Sequence, residues 1–308
     1  YDYIRTVNIN TQSYLFGGKL PSSASISAPV SGNLTWEVVE HHNLGLDASF
    51  LNNRLNFTGE YYIRNTKDML TAGISLPAVY GTSSPKMNSA DMQTKGYELS
   101  LGWQDMFKLA GKPFAYQINL TFNDYISKIT KFNNPEKAFA KKYYEGMRIG
   151  EIWGYHIDGM FATDEEAANY QVDQRRVNDI INSSSGSLKG LHAGDLRFAD
   201  LDGDNIISTG EDTVDDPGDR RIIGNSEPRY QYGANMAFQW CGFDFSIFFQ
   251  GIGRMDWYPA SEAELFWGPF NRPYATFLPK NFLEQCWSED NPNAYFPRPR
   301  AYVAFDNL

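Results

Sequence analysis

Polar and apolar residues alternate along several segments of this chain. Between residues 43 and 50, Leu44, Leu46, Ala48 and Phe50 share one parity, and the residues between them are polar or glycine. Successive side chains of a β-strand point to opposite faces of its sheet, so this pattern predicts a strand with one apolar face. Five further segments alternate in the same way, and together they predict a sheet.

The predicted strands form three pairs that are joined by tight turns. The first pair turns at Asn52 and Asn53, which tolerate a positive φ, and the third turns at Cys241 and Gly242. Phe248 breaks the alternation. The face predicted to be apolar holds Leu46, Phe57, Leu101, Leu120, Met236 and Phe245. The face predicted to be polar holds Asn56, Glu60, Asn119, Asn235 and Gln239.

Long polar stretches separate the pairs, at about residues 66–94, 129–228 and 254–308. Connections in compact domains have only ~4–6 residues. Outer-membrane barrels combine short periplasmic turns with long extracellular loops, and ~9–11 residues of each strand cross the hydrocarbon. The predicted fold class is therefore all-β, an antiparallel transmembrane β-barrel fragment with long extracellular loops. Its apolar face would meet lipid, and its polar face would line the lumen or contact a plug.

Alternation is also typical of soluble β-sandwiches, so a second class stays open. In this alternative the protein is a secreted, calcium-bound sandwich that binds carbohydrate in adhesion. Aromatic residues near predicted strand ends fit an interfacial belt or an ordinary core equally well. These residues are Tyr61, Trp103, Tyr116, Tyr230 and Trp240.

Charge and composition exclude other classes. The net charge of −10 argues against a nucleic-acid partner, because phosphate binding needs clustered Lys and Arg. No run approaches the ~20 apolar residues of a membrane helix. Two cysteines cannot build a disulfide framework. We expect Cys241, in a turn, and Cys286, in a loop, to be free thiols on opposite sides of the membrane.

Seven motifs along the chain carry a family resemblance. In chain order they are Asn33–Glu37, Asn43–Asp47, Phe50–Leu55, Tyr61–Leu70, Gly194–Asp204, Ile222–Tyr230 and Gly242–Gly251. Together they resemble the SusC/RagA-type TonB-linked outer-membrane transporters. The resemblance implies a 22-stranded barrel with an N-terminal plug and a SusD-like surface lipoprotein as partner. Such transporters import glycans, or sometimes peptides, with energy delivered by TonB across the outer membrane of Gram-negative, Bacteroidetes-like bacteria.

Against that family pattern, residues 1–308 are expected to be the C-terminal part of the barrel domain. Residues 129–228 would form a long extracellular loop, and residues 254–308 a truncated one. The plug, the TonB-contacting segment and the terminal strand would then lie outside this sequence. A passive porin, which lacks a plug, is a third possibility.

The best chemical motif is the acidic loop, residues 200–211. Its spacing matches positions 1, 3, 5, 7, 9 and 12 of an EF-hand-like calcium loop, which supplies several of the six to eight oxygen ligands that calcium takes. The expected ligands are Asp200, Asp202, Asp204, the Ile206 carbonyl, Ser208 and Glu211. Asn205 replaces the usual sixth-position glycine, and asparagine tolerates a left-handed turn. Alternatively, the carboxylates cap turns and face water.

Two further features lie in the same long loop. Thr163 and Glu166 fit a capping box that opens a short helix, with Ala167, Ala168, Tyr170 and Ile180 available for packing. The helix would belong to a lid or partner surface, or would simply lie at the surface. Residues 183–187 have the composition of a flexible linker.

Aromatic residues of the loops could stack on sugar rings, or could anchor loops and the lipoprotein interface. They are Trp153, Tyr155, Trp257, Tyr258, Trp267, Tyr274 and Trp287. No enzyme is predicted, because the four histidines lack the H-E-x-x-H spacing and the chain has no G-x-S-x-G elbow or P-loop.

Overall fold

The computed structural model describes residues 4, 6–73, 77, 79, 81–177, 190–259 and 278–299. Its strands are β1 (Val7–Thr11), β2 (Ser22–Ile26), β3 (Val38–Phe50), β4 (Leu55–Ala72), β5 (Lys86–Leu109), β6 (Lys112–Lys131), β7 (Glu151–Tyr155), β8 (Ile157–Met160), β9 (Leu196–Phe198), β10 (Arg220–Asn225), β11 (Arg229–Trp240) and β12 (Phe243–Arg254). Helix α1 spans Asp164–Ala168, and a 3₁₀ turn spans Leu283–Gln285. No helix in the described residues is long and apolar enough to cross a membrane.

The chain divides into two compact units. The wall unit comprises Tyr1–Ile149 and Glu227–Met255, and the loop unit comprises Gly150–Ser226 and Asp256–Leu308. The wall unit holds β1–β6, β11 and β12. The loop unit holds α1, the antiparallel pair β7–β10 and the antiparallel pair β8–β9.

The wall unit is built around one antiparallel sheet with the strand order β12-β11-β6-β5-β4-β3. Short turns join β3 to β4, β5 to β6 and β11 to β12. Residues with positive φ make these turns, among them Asn52, Asn53, Ala110 and Cys241. Since neighbouring strands are antiparallel, the three turns lie at the same end of the strands. Residues 73–85 and 132–228 connect strands at the opposite end. The predicted asymmetry of short and long connections is confirmed.

The strand register places the alternating residues of all six strands on two faces. Phe57 lies opposite Leu101, Leu101 opposite Leu120, and Leu120 opposite Ala234. Directly opposed residues share a face, so one face is apolar from β3 to β12. The adjacent row runs from Asn56 through Gly102, Asn119 and Asn235 to Phe248. Phe248 therefore lies on the polar face, as its parity predicted.

The apolar face forms a band of defined height. On β5 it runs from Tyr97, opposite Tyr61, to Phe107, opposite Phe114, and is interrupted there by Asp105, which pairs with Arg54 at 3.3 Å. Ten residue steps at ~3.3 Å each span about 33 Å along the strand. A strand tilt of about 40° reduces this to roughly 25 Å, the height of the outward apolar band of membrane barrels. Tyr61 and Trp240 lie near opposite borders of the band, whereas Trp103 donates to Tyr116 Oη at 2.9 Å inside it.

The apolar face is also exposed in this sheet. Leu44, Leu46 and Phe245 have 77%, 62% and 49% of their surface exposed. The core of a sandwich would bury these side chains between two sheets. The sandwich alternative is therefore wrong for this sheet, and the fold is the antiparallel barrel wall. The edge strands are β3 and β12, so these six strands do not close on themselves.

The long strands correct one sequence prediction. Strands β4, β5 and β6 have 18, 24 and 20 residues, about twice what crosses the hydrocarbon. The predicted loop at 66–94 is therefore mostly strand, because β4 continues to Ala72 and β5 begins at Lys86. These extensions contain the buried residues Ala90 and Thr94 and do not follow an apolar alternation.

A buried ion pair marks the point where β11 joins β6. Arg229 donates two hydrogen bonds to the carboxylate of Asp124, and the Tyr230 amide donates to the same group at 3.2 Å. The side chains of Asp124 and Arg229 are 4% and 13% exposed. Tyr230 has φ +57°, a left-handed conformation that interrupts the regular strand geometry next to Arg229, where the Arg229 side chain reaches Asp124. The pair therefore fixes where β11 begins.

We predict that Leu101→Arg destabilises the membrane-inserted protein by ~2–4 kcal/mol, because its side chain would enter the hydrocarbon. Ser100→Arg places the same charge one residue away on the polar face and should cost far less. Heat and urea resistance of the inserted protein measure the difference. Equal loss for both variants would contradict the facing of the sheet.

We predict that Asp124→Asn costs about 3–5 kcal/mol of stability, because Arg229 stays buried without its counter-charge. The control is Glu40→Gln, whose partner Lys67 lies 2.7 Å away; these side chains are 43% and 46% exposed. Exposed pairs contribute only ~0–1 kcal/mol. Urea unfolding of the two variants tests this contrast, and similar midpoints would show that the Asp124 pair does not fix β11.

Candidate functional site

The polar face of the wall is lined by hydrogen-bonded side chains. Thr58 donates to Asp47 at 2.7 Å, Asn43 donates to Glu60 at 3.1 Å, and Ser49 donates to Asn56 at 2.8 Å. These partners lie on adjacent strands and remain accessible to solvent. This face is therefore a solvated polar surface, on the side of the sheet opposite the apolar band.

The charges of this polar face have one sign. Within the height of the apolar band, its charged side chains in the described strands are Asp47, Glu60, Glu98 and Asp244. Glu60 and Glu98 lie directly opposite each other on β4 and β5. Like charges in such positions repel, and water or a cationic group relieves the repulsion. A channel lined by this face would favour neutral or cationic polar groups over anions.

The acidic loop adopts the tight turn that its sequence predicts. Asn205 has φ +63° and Gly203 has φ +82°, so both take the left-handed conformation. The Asp200 carboxylate accepts hydrogen bonds from the amides of Gly203 at 2.7 Å and Asn205 at 2.9 Å. Asp204 accepts from the Ile206 amide at 2.7 Å. Much of the turn is thus held by carboxylates that cap backbone amides.

The carboxylates that the structure brings together differ from the predicted set. Oxygens of Asp200, Asp202 and Asp219 lie within 4.8 Å of one another. Asp204 and Glu211 do not belong to this cluster, and the Glu211 amide instead donates to Asp216 at 3.3 Å. Asp219 lies eight residues beyond the twelve-residue motif, so the spacing rule could not include it. The only sequence signal for Asp219 was its position beside further acidic residues.

Asp219 is the buried member of this cluster, with no exposed surface. Its two oxygens accept from the amides of Leu201 at 2.8 Å and Ser208 at 2.7 Å. The Asp204 amide lowers the pKa of Asp202, but desolvation and the charges of Asp219, Asp204 and Asp200 outweigh this bond and raise it. Mutual repulsion of the carboxylates is therefore present, and a bound cation would relieve it.

The acidic loop is fastened to the segment that follows α1. Asp173 donates its amide to the Asn205 carbonyl at 2.8 Å and accepts from the Ile207 amide at 2.9 Å. Ile207 is fully buried. The side-chain hydrogen bond from Arg175 holds the pKa of Asp173 at about 2, so this carboxylate is ionised and its charge is balanced by Arg175. Asp173 therefore supports the loop through its backbone.

Helix α1 begins as its capping box predicts. Thr163 accepts from the Glu166 amide at 3.1 Å, and Glu166 accepts from the Ala162 amide at 2.8 Å. The return bond thus reaches one residue further than in the usual box. Tyr170 lies beyond the helix and packs edge-on against Phe161, with ring centroids 5.0 Å apart. Ile180 and the linker at 183–187 lie outside the described residues.

The predicted loop aromatics differ in their exposure. Tyr155 packs edge-on against Phe198, and Trp287 lies so close over Gly194 that an added Cβ would meet its ring at 2.4 Å. Their rings are used in packing the loop unit. Trp257 and Tyr258 are 71% and 59% exposed. Trp153 is half-buried on β7, and Trp267 and Tyr274 lie outside the described residues.

Both cysteines are free in the described chain, and their expected placement on opposite sides of the membrane stays a prediction. Cys241 is exposed in the turn between β11 and β12, and Cys286 is buried in the loop unit. Desolvation raises the pKa of Cys286. Neither thiol has a disulfide partner in the described chain.

Comparison with known proteins places this geometry in a family. Residues 3–277 match the family "TonB dependent receptor-like, beta-barrel". The chain is 28% identical over 280 residues to TonB-dependent receptor P3 of Formosa agariphila, covering 87% of this chain and 25% of that protein. It is also 28% identical over 247 residues to TonB-dependent receptor P39 of the same organism, covering 72% and 23%. The chain spans about a quarter of the length of the curated relatives it matches.

A solved structure shows the same fold. The structure of the RagAB peptide transporter superimposes with a TM-score of 0.64 at 20% identity, covering 99% of this chain and 30% of that chain. RagAB in its "open-open" state superimposes with a TM-score of 0.56 over 82% of this chain and 24% of that chain, at 20% identity. The resemblance to TonB-linked transporters found in the sequence motifs is confirmed, and the chain belongs to the TonB-dependent receptor-like β-barrel family.

Proposed function

We propose that this wall belongs to an active importer that moves a polar cargo across the outer membrane with energy from TonB. The observation that carries the proposal is the opposite polarity of the two faces of one sheet, in a chain of the TonB-dependent receptor family. An apolar outer face anchors the barrel in lipid. The hydrogen-bonded inner face around Asp47, Asn56 and Glu60 suits cargo that stays hydrated during passage.

The proposed cargo is an oligosaccharide or a peptide, delivered with the help of a SusD-like surface lipoprotein. The motif resemblance supports the lipoprotein partner, and the peptide alternative gains weight because a structural neighbour is described as a peptide transporter. The acidic inner face around Glu60 and Glu98 is compatible with neutral sugars and with cationic peptides. The bacterial host would be Bacteroidetes-like, as is consistent with relatives from Formosa agariphila.

Exposed loop aromatics are the proposed cargo contacts. Trp257 and Tyr258 follow Asp256. The Asp256 amide donates a hydrogen bond of 2.9 Å to the carbonyl of Asn225, the last residue of β10. The β10 partner β7 carries Trp153, opposite Ile222. These three rings therefore belong to one small sheet and its flank. Flat aromatic rings stack on sugars or on peptide side chains while the backbone holds them in place.

A passive porin differs from an active importer in its need for energy. We predict that cells expressing the receptor take up a fluorescent oligosaccharide or peptide cargo, and that a protonophore abolishes this uptake within minutes. A strain without the receptor gives the background, and a general porin in the same strain is the control for diffusion. Protonophore-insensitive uptake would overturn active import and favour the porin.

We further propose that the acidic loop binds calcium through Asp200, Asp202 and Asp219, with backbone or water oxygens completing the shell. Calcium takes six to eight oxygens, and three carboxylates within 4.8 Å supply its charge requirement. Buried Asp219 ties residues 201 and 208 together, so ion binding would also tighten the loop.

We predict that a calcium chelator increases protease cleavage near Asp204, because the cluster then opens through repulsion. Mass spectrometry of the fragments locates the cut. Asp202→Asn should remove the calcium dependence, whereas Glu165→Gln, an exposed acid of α1, should keep it. Identical cleavage with calcium and with chelator in the unmodified protein would refute the calcium site and leave transport untouched.

A further inference from the structure

Basic side chains gather on the apolar side of the wall, just beyond the border of its band. The row that contains Tyr61, Tyr97 and Asp124 ends the band towards the long connections. Two residues further on, Lys95 lies between Ile63 and Ile126, and in the next row Lys128 lies opposite Gln93. Both lysines are exposed. They share the face of the apolar band because their positions keep its parity.

These lysines have no carboxylate partner within the described residues. Two carboxylates lie on the same face in these rows, and each is already paired. Asp124 binds Arg229, and Glu40 binds Lys67 at 2.7 Å. Arg148, in the segment before β7, is the direct cross-strand partner of Lys128. In a chain with net charge −10, these rows therefore hold two exposed lysines without a carboxylate partner in the described residues.

The height of the lysines matches the headgroup layer. At ~3.3 Å per residue and a tilt of about 40°, Lys95 lies roughly 5 Å and Lys128 roughly 10 Å beyond the apolar border. The polar layer on each side of the hydrocarbon is about 5–8 Å thick. The long connections mark the outward side of a barrel. Lys95 therefore lies at the level of outer-leaflet headgroups on the lipid-facing side, and Lys128 lies just beyond that level, from where its long, flexible side chain can reach back to it.

We propose that Lys95 and Lys128 form a docking site for the phosphate of an outer-leaflet lipid headgroup, with the acyl chains lying along Leu99 and Leu101. The ammonium groups supply the charge that a phosphate requires, and the band directly below supplies an apolar surface. A soluble phosphate could satisfy the charges but would leave the apolar surface unused. The site rests on the outer-membrane placement of the wall and goes beyond the import function.

The test uses the receptor as assembled in the outer membrane, purified in a non-ionic detergent and selected for its folded, heat-modifiable form. Native mass spectrometry follows its titration with phosphatidic acid and, separately, with phosphatidylcholine. We expect preferential retention of phosphatidic acid. Each basic side chain at a membrane surface changes affinity about fivefold, so Lys95→Gln with Lys128→Gln should weaken binding about 30-fold.

The matched control is Arg64→Gln. Arg64 lies opposite Thr94, next to Lys95 in height, but on the polar face. This variant loses the same charge and should bind phosphatidic acid as the unmodified receptor does. If the double variant does not assemble, single Lys128→Gln provides the same comparison with an expected fivefold effect.

Three results would overturn the proposal: equal binding by the lysine variants, equal loss with Arg64→Gln, or full competition by millimolar inorganic phosphate, which would indicate a soluble anion instead of a lipid. Transport can be lost or retained independently of these outcomes, so failure of the lipid site is distinguishable from failure of the import proposal.

Discussion

The structure depends on backbone hydrogen bonding between antiparallel strands, in a register that is unbroken across the apolar band. In hydrocarbon, an unpaired backbone amide or carbonyl costs several kcal/mol, so the wall must be a sheet whose strands pair along the whole apolar band. Pairing fixes which residues oppose each other, and a shift by one residue would exchange the two faces. The row from Phe57 through Leu101 and Leu120 therefore specifies the outer surface, and Asn56 and Asn119 the inner one.

The two faces of the sheet require different surroundings. The outer face lacks an apolar neighbour until lipid covers it, and its border adds cations at Lys95 and Lys128. The polar face carries acidic groups such as Glu60 and Glu98, which require water or a polar or cationic group beside them. The Asp124–Arg229 pair holds β11 in place where the wall meets the long connection.

Hairpins and face assignments could be predicted because alternation has a period of two and is strong within the membrane. The extensions of β4 and β5 were missed, since strands outside lipid need no apolar face, and residues 66–94 therefore looked like a loop. In the acidic loop, the turn at Asn205 was predictable from local conformational preference. The position of Asp219 could not be predicted, because a tertiary contact brings it to Asp200 and Asp202 and the spacing of the motif does not include it.

The most direct test of the wall is the accessibility of nitroxide spin labels placed singly from residue 97 to residue 104 of β5, after replacement of Cys241 and Cys286. In reconstituted receptor, labels at Leu99 and Leu101 should collide preferentially with oxygen, which concentrates in lipid. Labels at Glu98 and Ser100 should collide preferentially with a water-soluble nickel chelate. Accessibility that fails to alternate with a period of two, or that alternates with the faces exchanged, would contradict the lipid-facing assignment.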